Sequence, residues 1–73
     1  MKLYIEIKNV NDAVEFVNTI SEYECDMDLI SGCNYIDAKS LLGVIGVGTG
    51  KKVRFDIHGE GERIRERIKK YIA

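Results

Sequence analysis

The 73-residue chain predicts an α+β domain in which strands and helices follow the order βαββαβα. Two patterns carry the prediction. Apolar residues alternate with polar ones in three runs, Leu3-Ile5-Ile7, Cys25-Met27-Leu29 and Val53-Phe55-Ile57, the period of half-buried strands. Two other stretches, Ala13-Phe16-Val17-Ile20 and Ile64-Ile68-Tyr71-Ile72, repeat at helical spacing. No repeat, linker or low-complexity stretch divides the chain, so a single domain over residues 1–73 is expected.

Taken in order, Lys2 to Lys8 reads as the first strand, with Lys2, Glu6 and Lys8 on its polar face. Asn9, Asn11 and Asp12 offer helix caps, and Asp12 with Glu15 fits a capping box ahead of a helix of about three turns. Glu24, Asp26 and Asp28 form the solvent face of the second strand, and Ser31-Gly32 marks a turn. Asn34 to Asp37 is a short third strand with Tyr35 and Ile36 on opposite faces. Asp37 can cap a short helix beginning at Ala38, which Gly43, Gly46, Gly48 and Gly50 turn into a flexible corner. Lys52, Arg54 and Asp56 line the polar face of the fourth strand, with Lys52 and Arg54 placed to meet acidic strand residues. From Glu62 the last helix buries Ile64, Ile68, Tyr71 and Ile72 and pairs Glu66 with Lys70 at i, i+4.

Composition narrows the function. A chain this short buries a modest core, which points away from an enclosed active site and toward a working surface. With 45% hydrophobic and 32% charged residues it reads as a soluble protein. No apolar run approaches the roughly 18 residues of a membrane span, and the first residues lack a signal-peptide core, so a cytoplasmic protein is expected. A net charge of -1 argues against nucleic-acid binding driven by phosphate neutralisation, although Glu22 to Asp28 is acidic and the last third basic. Tyr4, Tyr23, Tyr35 and Tyr71 are scattered and give no aromatic platform on one strand.

The motifs that would carry chemistry fail on inspection. Gly46-Val-Gly-Thr-Gly-Lys51 has Ile45 where a phosphate loop needs its first glycine and Lys52 where it needs Ser or Thr. Its third glycine falls one residue early for a dinucleotide fingerprint, and a strand follows. Cys25, Cys33 and the lone His58 cannot assemble a four-ligand metal site, no disulfide is expected, and no Ser or Cys is placed to make His58 part of a triad. No cofactor is implied. Ser40 is different, because a phosphate in a helix's first turn meets free amides and the positive end of the dipole.

The segment Ala38-Lys39-Ser40-Leu41-Leu42-Gly43-Val44-Ile45 resembles the regulatory-serine segment of HPr, the histidine-containing phosphocarrier of the bacterial sugar phosphotransferase system. Ala13-Val14-Glu15-Phe16-Val17 resembles that family's first helix, and Gly59-Glu60-Gly61-Glu62 its corner before the last helix. The resemblance implies an open-faced sandwich of four antiparallel strands with three helices on one face. It also implies that Ser40 is the phosphorylation position and that Leu41, Leu42 and Ile45 form the patch that meets protein partners. In the family those partners are enzyme I, permease domains, a serine kinase and a transcriptional repressor.

The family's acceptor His stands in a Gly-x-His-x-Arg-Pro-Ala loop before the first helix. Here that region reads Asn9-Val10-Asn11-Asp12, without His, Arg or Pro and several residues shorter. An amide cannot form the phosphoramidate, and His58 does not match the acceptor position. The chain is similar in this to the catabolite-repression HPr-like branch of the family. The expectation is a noncatalytic HPr-like regulatory or protein-binding module, the alternative an HPr-fold structural or interaction domain with no phosphotransferase role.

Overall fold

A computed structural model describes the backbone of residues 1–73 and the surroundings of every residue except Gly48. Strands β1 (Lys2–Glu6), β2 (Asp26–Ser31), β3 (Asn34–Asp37) and β4 (Lys52–His58) form one sheet in the order β1-β4-β2-β3, every neighbouring pair antiparallel. Helices α1 (Val10–Ile20), α2 (Leu41–Gly48) and α3 (Glu62–Arg67) cover one face. The order and the three-helix, four-strand architecture are those the sequence predicts.

The alternation makes the core. Ile5, Met27, Leu29, Val53, Phe55 and Ile57 point from the sheet to the helices and are buried, as are Ala13, Phe16, Val17 and Ile20 of α1. Phe16 sits between Phe55 and Tyr71 with ring centroids 5.2 and 5.6 Å away, both edge-on. Burial of two such rings with the branched aliphatics around them is the main driving force for closing helices on the sheet. Gly32 opens the β2–β3 hairpin at φ 63°, a conformation glycine adopts without strain, and Ser31 pairs with Asn34 across a two-residue loop.

Several local readings are corrected. The α1 cap is Asn9, whose Oδ1 accepts from Asp12 N at 2.9 Å; with the cap three residues earlier, Glu15 lies beyond the first turn and pairs with Lys70 instead of closing a capping box. Asp37 does not cap α2. Its backbone still belongs to β3, Ala38 N continues to Met27 O at 2.9 Å, and its carboxylate accepts from Lys39 N at 3.0 Å, so the helix starts three residues later with Ser40 as cap. The glycines at 43, 46 and 48 lie within α2 and not in a loose exit.

The last helix is shorter than its stripe. It leaves α geometry at Ile68 (φ -109°), tightens into a 3₁₀ turn at Lys69–Tyr71, and lays Ile72 beside Ile5 as a bridge. The tighter turn brings Lys69, not Lys70, to Glu66 at 3.7 Å. Ala73 N then donates to Tyr4 O at 2.9 Å, so the chain end lies along the outer edge of β1.

Candidate functional site

The start of α2 is held from three sides. Ala38 is fully buried, Ser40 N donates to Asp37 O at 3.0 Å, and the Lys39 ammonium donates to Tyr23 O. Ser40 itself is exposed, and its hydroxyl accepts from Gly43 N at 3.3 Å. Gly43 lets the helix lie flat against β3, because a Cβ there would overlap Ile36 Cγ2. With Val44 buried, Leu41 and Ile45 become half-buried shoulders packed on the core, while Leu42 stands 85% exposed between solvent and the cap. The three apolar residues therefore form a ridge with Leu42 as its crest.

The degenerate loop region lies at the other end of α2. Asn9, Val10, Asn11 and Asp12 make the cap and first turn of α1, and Thr49, just past α2, bridges to Ile7 beside them. Ser40 is thus separated from Asn9 by the length of α2, roughly 12 Å for eight residues. Asn9 has its side chain committed to Asp12 N, and Val10 is 52% exposed. Val14, one turn further, is also exposed, an apolar pair on the outer face of α1 that no periodicity singled out because both residues fall off the buried stripe. Nearby, Lys70 pairs with Glu15 and holds its carboxyl below the usual range. The Tyr71 hydroxyl beside them is buried without a hydrogen-bond partner among the described residues, and burial pushes the phenol up.

His58 is at the far end of β4 from α1's start. Six residues of strand, roughly 20 Å, separate it from Lys52, whose partner Glu6 closes β1. His58 Nε2 lies 2.8 Å from Asp28 Oδ2, in a cleft also lined by Asp26, Asp37 and Lys39. Among the described residues no cluster of His, Cys, Asp or Glu could hold a metal ion, and no helix is long and apolar enough to cross a membrane. Cys25 and Cys33 are free thiols at opposite ends of β2.

On the uncovered sheet face, Arg54 Nε and one terminal nitrogen each reach an Asp56 carboxylate oxygen at 2.8 Å. That guanidinium holds the Asp56 carboxyl below its usual range despite burial, and the carboxylate raises Arg54 in turn. A second clamp, Arg67 to both oxygens of Glu22 at 2.8 and 3.0 Å and to the Tyr23 hydroxyl at 3.2 Å, ties α3 to the α1–β2 loop. Neither partner of that clamp was suggested by spacing, since the residues are 45 apart in sequence.

An antiparallel sheet open on one side, with helices on the other and a serine-capped helix presenting an apolar ridge, defines the phosphocarrier-like class of open-faced α+β sandwiches. Residues 9–73 match the family described as PTS HPr component phosphorylation site, and the chain belongs to that family. It is similar to HPr-C-His from Thermoanaerobacter tengcongensis, 27% identical over 92% of this chain and 83% of that one, with a TM-score of 0.71. The phosphocarrier protein HPr of Bacillus anthracis superposes with a TM-score of 0.74 at 18% identity, covering 100% of this chain and 96% of that one. The histidine-containing phosphocarrier of a mycoplasma gives 0.75 at 17%, over 96% and 89%. No curated protein matches the chain. The family relates the chain to the phosphotransferase system, whose HPr proteins are phosphocarriers, not catalysts, and work by meeting other proteins of that system.

Proposed function

We propose that this chain is a noncatalytic HPr-like docking module that does not relay phosphate through histidine. Its working surface is the Leu42 crest with Leu41 and Ile45, and Ser40 is the position at which phosphorylation sets its charge. The partner is a protein: a phosphotransferase-system component, a serine kinase or a transcriptional repressor.

The observation that carries the reading is at the start of α1, where the side chain at the helix entrance is Asn9, already bonded to Asp12 N, while the chain's one imidazole is at the other end of the sheet against Asp28. A carboxamide has no nitrogen lone pair free to form the phosphoramidate. The exposed Leu42 supports docking, since an apolar side chain held out on a rigid helix costs little ordering entropy on binding. A phosphate on Ser40 would sit over the first-turn amides of α2, where the helix dipole favours it, and would place about -2 charges beside the ridge.

Incubation with enzyme I and phosphoenolpyruvate is expected to leave no acid-labile phosphate, and a labelled His would overturn the reading. An HPr-type serine kinase with ATP is expected to add one phosphate at Ser40 by intact mass; none would remove the regulated version. Affinity capture with wild type and Leu42→Asp should lose the partner in the variant, and equal capture would move the docking surface elsewhere.

A further inference from the structure

We propose that the uncovered sheet face binds a second copy of this chain, sheet to sheet, leaving both α2 ridges outward. Helices cover one face only, and the strand register arranges the other in transverse rows. Tyr4, Arg54, Ile30 and Tyr35 form one row across all four strands. Tyr4 is 54% and Tyr35 70% exposed, and Ile30 is half-buried between them. On one side of this row lie Lys2, Asp56, Asp28 and Asp37; on the other lie Glu6 and Lys52. Two large aromatics and an aliphatic crossing an open sheet are the kind of surface that interfaces use as their centre.

The charges on either side select the second copy and its orientation. A two-fold axis along the Tyr4–Tyr35 row places each row-mate over its own copy and exchanges the flanking rows. Lys2 then faces Glu6 of the second copy, and Asp56 faces Lys52 of the second copy. A two-fold axis along the strands would instead set Asp56 against Asp28 of the second copy, like charges, and leave Lys2 against Asp37 as its one attraction. Arg54 meets its own copy only as a pair already neutralised by Asp56.

Asp28 and Asp37 lie over the other copy's Gly32-Cys33 turn, and Asp26 and His58 lie past it in the solvated rim. The outer edge of β1 is occupied by Ile72 and Ala73, which directs association to the face over that edge. Four strands by about six residues give a footprint of roughly 19 by 20 Å, below the size of stable interfaces, which makes the dimer a weak, transient one.

Sedimentation equilibrium from about 10 μM to about 1 mM tests this. A monomer–dimer equilibrium is expected, weakened about tenfold or more by Tyr4→Ser or Tyr35→Ser with unchanged circular dichroism, and untouched by Leu42→Ser. In NMR dilution series the amides of Arg54, Ile30 and Tyr35 should shift, more than those of Leu41 to Ile45 in α2. A monomer at the top concentration, a dimer broken by Leu42→Ser, or one insensitive to both tyrosines would overturn the proposal. So would a single-stranded oligonucleotide or a lysine-rich peptide that shifts the tyrosine resonances of a chain that stays monomeric. Because the ridge variant is a separate arm, failure of self-association leaves the docking reading standing.

Discussion

Arg54 and Asp56 stand two residues apart on β4 and grip each other with two bonds of 2.8 Å, on a sheet face where Asp56 would otherwise sit nearly buried between Lys2 and Asp28. The Asp56 side chain is 9% exposed and the Arg54 side chain 33%, so the pair is shielded enough to matter. Asp56→Asn is expected to cost about 1–3 kcal/mol at pH 7, read by urea unfolding.

The same pair fixes a pH dependence. Because the Asp56 carboxyl is depressed in the folded chain, its contribution is fully present above the unfolded value of about 3.9 and is lost as pH falls through the folded value. Wild type and Asp56→Asn should therefore differ most near neutrality and converge in acid below about pH 4. A constant gap across that range would show that the carboxylate charge is not the cause.

Asp28 faces Asp56 on one side and Asp37 on the other, a row of three like charges relieved by His58 at 2.8 Å from Asp28. Asp37→Asn keeps an Oδ1 to accept from Lys39 N while removing one charge. It should stabilise the chain by about 0.3–0.5 kcal/mol in low salt, and the gain should fade as salt screens the row.

The two inner glycines of α2 should answer oppositely to the same change. At Gly46 an added Cβ meets open space, so Gly46→Ala should stabilise by about 0.5–1 kcal/mol through helix propensity. At Gly43 the Cβ overlaps Ile36, and Gly43→Ala should lose about 1–3 kcal/mol net as the helix lifts from β3. Thermal melts of the two variants separate packing from propensity.

Ser40→Ala removes the α2 cap and should cost about 0.5–2 kcal/mol, whereas Ser40→Asp retains an acceptor for Gly43 N and a charge the dipole favours. Stability should return in the Asp variant. Partner capture by the two variants then reports charge at the ridge without the confound of a frayed helix.

The element order was legible because burial imposes period two on Leu3-Ile5-Ile7 and period 3.6 on Ala13-Phe16-Val17-Ile20, whichever partners they meet. Ser40, Leu41, Leu42 and Ile45 could be named as a segment through their resemblance to the HPr regulatory-serine segment. Their unequal exposure could not, since it depends on Gly43 letting α2 settle on Ile36 and turn Val44 inward. Competing caps were equally opaque: Asn9 and Asp12, or Asp37 and Ser40, are chemically alike, and only the point where the strand's backbone bonds end decides between them.

The sequence by itself determined the α+β order, the core stripes and the absence of histidine from the entrance of the first helix, because these are local patterns of residue type. Tertiary structure decided which distant groups meet, Arg67 with Glu22, Lys70 with Glu15 and His58 with Asp28, and set Tyr4 and Tyr35 at the two ends of one row across the open face. Spacing along the chain carries no information about those pairs; strand register and the docking angle of each helix, set by packing around Phe16 and Phe55, carry all of it.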